Sequence, residues 1–287
     1  MPTTALPVHA GVMKDFANEV ERASASIVAV HARRGIGTSG IGWQDNLILT
    51  SAEGVRVEEG IRILLPDGRA VSAKLRGRDS GTDLAVLEVE ASLPRLEFAD
   101  DKALKPGQLA LAVGRTINTG PIASLGIVSG VSTEWKTWRG GKIDPFVRLD
   151  ISAYSTLSGG AALDAEGKLI GLISTGLSRS SVFAITRGTI DRIAGKLSQQ
   201  GYVSRGFLGV TLQQVGPGIM LMGVDPEGPA AAGGLLLGDV LVEFSRPEAL
   251  SELLEQTPAG QTVKFKVLRA GVLQDMEVRV GERPRKK

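Results

Sequence analysis

Cysteine is absent from all 287 residues, which excludes disulfides, thiol catalysis and zinc–thiolate sites. Histidine is almost absent: only His9 and His31 occur, so a proton acceptor poised near neutral pH has few sources. Aromatic residues make up 4% of the chain, so its cores must be built from Val, Leu, Ile and Ala. Neither sign of charge is in much excess. A net charge of +2 gives no nucleic-acid footprint, and the basic end Arg283-Pro284-Arg285-Lys286-Lys287 reads as a solvated tail. No uninterrupted apolar run approaches the roughly 20 residues that span a bilayer. Met1 to Val12 has neither the charged leader nor the apolar centre of a signal peptide. As written, the chain reads as cytoplasmic; it would be periplasmic or otherwise extracytoplasmic if a leader has been removed.

What the sequence does contain is 37 glycines and many short apolar runs between turn residues. Ile27-Val28-Ala29-Val30, Leu47-Ile48-Leu49, Leu84-Ala85-Val86-Leu87 and Leu109-Ala110-Leu111-Ala112-Val113 come first; Leu169-Ile170-Gly171-Leu172-Ile173 and Val182-Phe183-Ala184-Ile185 follow. Short strands with turns between them predict a mostly β barrel or sandwich. Pro66-Asp67-Gly68-Arg69 and Asp164-Ala165-Glu166-Gly167-Lys168 have the chemistry of hairpin turns. Two stretches switch to helical spacing. Val12, Phe16, Val20 and Ala23 mark an N-terminal helix over Gly11 to Ser24; Ile190, Ile193, Ala194 and Leu197 mark a linker helix over Thr186 to Gln200.

Three segments carry chemistry in a fixed order: Leu47-Ile48-Leu49-Thr50-Ser51-Ala52-Glu53-Gly54-Val55, then Thr82-Asp83-Leu84-Ala85-Val86-Leu87, then Leu157-Ser158-Gly159-Gly160. They resemble the chymotrypsin-like serine proteases of the HtrA/Deg family, in which such segments carry the His, Asp and Ser of the triad. After Gly201, Phe207-Leu208-Gly209-Val210 and Pro229-Ala230-Ala231-Ala232-Gly233-Gly234-Leu235-Leu236-Leu237-Gly238-Asp239-Val240 resemble a PDZ domain. The resemblance runs from about Ala10 to Glu282. It implies a chymotrypsin-like double β-barrel followed by a small α+β PDZ domain. The expected divisions are a helical segment 1–25, a protease domain 26–186, a linker helix 187–204, a PDZ domain 205–283 and a tail 284–287.

By that resemblance Ser158 is the nucleophile position and Asp83 the position that orients a histidine. The histidine position is occupied by Glu53. A carboxylate with an ordinary pKa of about 4.3 cannot relay a proton as an imidazole of about 6.5 does. Glu53 facing Asp83 is expected to raise one carboxyl's pKa and to share a proton with it. Thr156 stands where the family has the glycine whose N–H helps form the oxyanion hole, and a β-branched residue disfavours that geometry. The expectation is a pseudoprotease, with a weakly active serine endopeptidase as the alternative, needing no cofactor and no metal. The PDZ resemblance implies a groove between Phe207, Leu208, Gly209, Val210 and the helix bearing Leu250, Leu253 and Leu254. The implied partners are polypeptide C-termini or unfolded proteins, with a homotrimer or an active paralogue as further possibilities.

Overall fold

The computed structural model describes residues 16–32, 37–137, 140–152, 154–203 and 206–282, and places them in two compact units that divide after Val203. The first unit opens with helix α1 (Phe16–Ser24) and strand β1 (Ile27–His31). Strands β2 (Thr38–Gln44), β3 (Leu47–Ser51), β4 (Ile61–Leu64), β5 (Ala70–Asp79) and β6 (Leu84–Val89) follow. They close a barrel in the order β1-β2-β3-β6-β5-β4. Next come β7 (Leu109–Thr116), β8 (Gly120–Ser132), β9 (Trp135–Lys136), β10 (Lys142–Ile143), β11 (Phe146–Asp150), β12 (Ala161–Leu163), β13 (Leu169–Ser174) and β14 (Val182–Ile185). Of these, β11-β14-β13-β12-β7-β8 close a second barrel, while β9 and β10 form a separate hairpin.

The unbroken apolar runs have a simple cause: these strands are buried on both faces. Along β3, Ile48 points into the core of the first barrel and Leu49 into a core shared with the second. On β6, Ala85 and Leu87 join the first barrel's core while Leu84 and Val86 join the shared one. In β7 the small Ala110 and Ala112 fill the second barrel, and Leu111 and Val113 face the shared core. Period-2 alternation is invisible when both faces are dry. Helix α2 (Arg187–Gln200) buries Ile190, Ile193, Ala194 and Leu197 in the same shared core. The expected linker helix is therefore an integral part of the first unit, because its apolar stripe finds a partner there. The N-terminal helix begins at Phe16 in the described residues; the expected start at Gly11 lies outside them.

The second unit contains β15 (Gly206–Phe207), β16 (Val210–Val215), β17 (Gly218–Val224), α3 (Pro229–Ala232), β18 (Val240–Leu241), α4 (Pro247–Gln256), β19 (Thr262–Arg269), β20 (Val272–Arg279) and β21 (Gly281–Glu282). Its main sheet runs β16-β17-β18-β19-β20, so β16 is an edge strand. Leu208, Ile219, Leu221, Leu250, Phe265 and Val278 lie in its core. Asp239 is buried there and is held by Arg269, whose Nε reaches Asp239 Oδ1 at 2.8 Å and whose Nη2 reaches Oδ2 at 2.7 Å.

Candidate functional site

Ser158 ends a short 3₁₀ turn over Ser155–Leu157, between β11 and β12. The turn is pinned to the first barrel. Ser39 N–H donates to the Ser158 carbonyl at 2.9 Å, the Thr38 hydroxyl donates to the same oxygen, and Ser39 Oγ donates to the Thr156 carbonyl at 2.6 Å. Gly159 follows at φ +81°, where a Cβ would collide with the Ser39 carbonyl; glycine is obligatory there.

Asp83 opens β6 from the left-handed region, at φ 56°, and is fully buried. Its Oδ1 accepts from Glu53 N–H at 2.9 Å and its Oδ2 from Ser174 Oγ at 2.6 Å, while Ser51 Oγ lies 2.9 Å from both oxygens. Burial pushes the Asp83 carboxyl above the usual range, against the lowering effect of Ser174, the Glu53 N–H and Ser51. The negative charge of Glu53 raises it further but is the smallest of these influences.

The Glu53 side chain enters the same place. A Cβ added at Gly176 would sit 2.5 Å from Glu53 Oε2 and 2.9 Å from Asp83 Oδ2, so both carboxylates crowd one point beneath the 174–176 segment. Ser51, Ser174 and a backbone N–H supply Asp83 with donors, and Glu53 Oε1 leans toward Arg56 Nη2 at 3.7 Å.

The Ser158 Oγ has one hydrogen-bond partner among the described residues, the Thr175 N–H at 3.4 Å, which donates to the oxygen and so cannot take a proton from it. The Ser158 N–H is also engaged, donating to the Ser155 carbonyl at 3.3 Å. A carbonyl thus faces the donor that an oxyanion would need. His31 sits half-buried at the end of β1, and its buried Nδ1 has no partner among the described residues. His9 lies outside the described residues. No group of three or more His, Asp or Glu side chains suited to a metal gathers among the described residues.

Sequence reasoning brought Ser158, Asp83, Glu53 and Thr156 to one region, and the structure gathers Ser158, Asp83 and Glu53 around the 174–176 segment, with Thr156 held two residues before the serine. It missed Ser39, Ser51 and Ser174, the hydroxyls that fix the geometry. Ser51 and Ser174 each close an apolar strand, and a polar residue at that position in a two-faced dry strand is the signal that could have found them.

In the second unit, Gly209 adopts φ +76° between β15 and β16. The Leu208 and Gly209 carbonyls accept from Ala230 N–H at 2.8 Å and Asp225 N–H at 2.7 Å, while the Leu208 and Gly209 N–H groups have no acceptor among the described residues. Leu208 and Leu250 are buried in the core; Phe207, Val210, Leu253 and Leu254 are half-buried beside it.

Comparison with known proteins agrees with this architecture. Residues 38–172 match the trypsin-like peptidase domain and residues 206–280 the PDZ domain. The chain belongs to the HtrA family. A probable periplasmic serine endoprotease DegP-like from Halomonas elongata is 34% identical over 275 residues, covering 88% of this chain and 57% of that protein. Its counterpart from Pseudomonas putida GB-1 is 30% identical over 272 residues, covering 87% and 56%. This HtrA-family chain thus spans a little over half the length of the curated relatives it matches. Among solved structures, the HtrA-type protease AlgW with decapeptide superposes with a TM-score of 0.77 at 27% identity, covering 95% of this chain and 100% of that one. The serine endoprotease from Yersinia pestis gives 0.76 at 28%, covering 99% and 100%.

Proposed function

We propose that this HtrA-family chain is a pseudoprotease that works by binding polypeptide. The observation that carries this reading is the environment of Ser158 Oγ: its one partner among the described residues is an N–H donor, and Glu53 occupies the histidine position. A serine hydroxyl attacks a carbonyl only when a base removes its proton. The Ser158 N–H turned to the Ser155 carbonyl supports the same conclusion from the oxyanion side. Fluorophosphonate labelling tests it: the native chain should leave Ser158 unlabelled at neutral pH, and labelling abolished by Ser158→Ala would overturn the proposal.

The working surface in this reading is the PDZ groove. An extended peptide would add to the open edge of β16, and its terminal carboxylate would meet the free Leu208 and Gly209 N–H groups. Phe207, Val210, Leu253 and Leu254 would receive its last side chains. The related HtrA-type protease AlgW, solved with a decapeptide, supports this mode. Free-acid peptides should bind the full chain and their C-terminal amides should not; equal binding would refute carboxylate capture. Polypeptide C-termini and unfolded chains are the partner class, and assembly as a homotrimer or with an active paralogue is the corresponding arrangement. The periplasmic names of the relatives support an extracytoplasmic location.

A further inference from the structure

Arg115, near the end of β7, is a cation in the wrong place for a surface residue. It is 8% exposed. Its Nε donates to the Ile27 carbonyl at 2.7 Å and its Nη2 to the Ser24 carbonyl at 3.0 Å, the latter at the C-terminal end of α1. Those carbonyls and the negative end of the helix explain why the charge is tolerated, but they do not neutralise it. No carboxylate pairs with it among the described residues, and its Nη1 makes no hydrogen bond there. Burial pulls its pKa down, the signature of a desolvated and uncompensated guanidinium.

Arg115 is among the residues lining an open pocket of about 610 Å³ between α1 and the start of β8. Ala17, Val20, Ala25, Pro66 and Pro121 make its walls apolar, and Glu21 also lines it. We propose that the pocket is a binding site for a monocarboxylate with a short apolar body. A planar carboxylate matches the unused edge of a guanidinium, and apolar walls suit a hydrocarbon tail. The Glu21 carboxylate opposes a dianion such as phosphate. Two sources offer the same chemistry: the C-terminus of a polypeptide, or a free short-chain acid. The site is separate from the PDZ groove, and its failure would leave the pseudoprotease reading intact.

The buried, hydrogen-bonded Nε–H of Arg115 gives a site-specific NMR signal, assigned by its loss in Arg115→Met. The full chain would be titrated with N-acetyl-leucine, N-acetyl-leucinamide and hexanoate while that signal is followed. One or both acids should shift it to saturation and the amide should not. A shift with N-acetyl-leucine alone assigns a polypeptide C-terminus, and a shift with hexanoate assigns a free acid. Ala17→Trp, which fills the pocket and leaves Arg115 in place, should weaken acid binding by about tenfold or more. The proposal is overturned if neither acid moves the signal at tens of millimolar, if the amide moves it equally, or if Ala17→Trp leaves the shift unchanged.

Discussion

Restoring a histidine at position 53 should not by itself restore an efficient protease, because the site has a second obstacle. Loss of a triad member costs about 10⁴–10⁶ in turnover, and Glu53→His should recover part of that by returning a base beside Asp83. The Ser158 N–H still donates to the Ser155 carbonyl at 3.3 Å. Releasing that bond costs about 1 kcal/mol net, roughly a fivefold to tenfold deficit in the open form. Holding Thr156 in a conformation suited to glycine adds about 1–2 kcal/mol. The bond to Ser155 weighs on both variants alike, so the double variant Glu53→His/Thr156→Gly should react with fluorophosphonate about fivefold to 30-fold faster than Glu53→His alone. The assay is the second-order rate of Ser158 labelling across pH. A new base should make that rate climb through the imidazole range near pH 6.5, roughly. Equal rates for the single and double variants would refute the oxyanion argument. A silent double variant would refute the view that these two positions carry the defect.

Three further outcomes are expected. Folding raises the Asp83 carboxyl's pKa from 3.8, so the folded chain holds that proton more tightly; this contribution is present below 3.8 and is lost as pH rises through the folded value. Asp83→Asn should accordingly gain melting temperature relative to the native chain between about pH 3.5 and about pH 7, and a constant difference in calorimetry would contradict it. Arg269→Met leaves Asp239 buried without its partner and should lower the urea midpoint of the second unit. Burial opposes Asp239 ionisation, but Arg269 and the Leu236 N–H outweigh it and hold the carboxyl below its usual range. The pair's contribution should be present above pH 3.8 and fade as pH falls through the folded value. Gly159→Ala forces a Cβ into the Ser39 carbonyl at positive φ and should cost about 2–4 kcal/mol, read as a lower urea midpoint for the first unit; an unchanged midpoint would show that the turn can relax.

Much of this was legible because glycine turns and apolar runs are local signals. Ser158-Gly159-Gly160 and Asp83-Leu84 marked the two barrel ends, and the long apolar period of α2 marked the helix. What was not legible depended on distant partners. Nothing near Ser158 in the sequence shows that its N–H turns to Ser155, since that choice is coupled to the grip of Ser39 on Thr156 from another barrel. That α2 packs into the shared core was not legible, because a stripe of four apolar residues does not reveal which core receives it. Glu53 and Asp83 do lie together, but the hydroxyls that hold Asp83, Ser51 and Ser174, are ones no spacing rule brought in.

The strands with two dry faces also bear on cooperativity. Because Ile48 and Leu49 serve different cores from adjacent positions, neither barrel can open without exposing the layer that the other relies on. Helix α2 seals that same layer, so unfraying it exposes both halves at once. The first unit should melt as a single foldon, whereas the second, with a core of its own, is free to exchange its amides on a separate timescale. On the peptide-binding reading, the open edge of β16 thus belongs to a unit whose core is complete in itself.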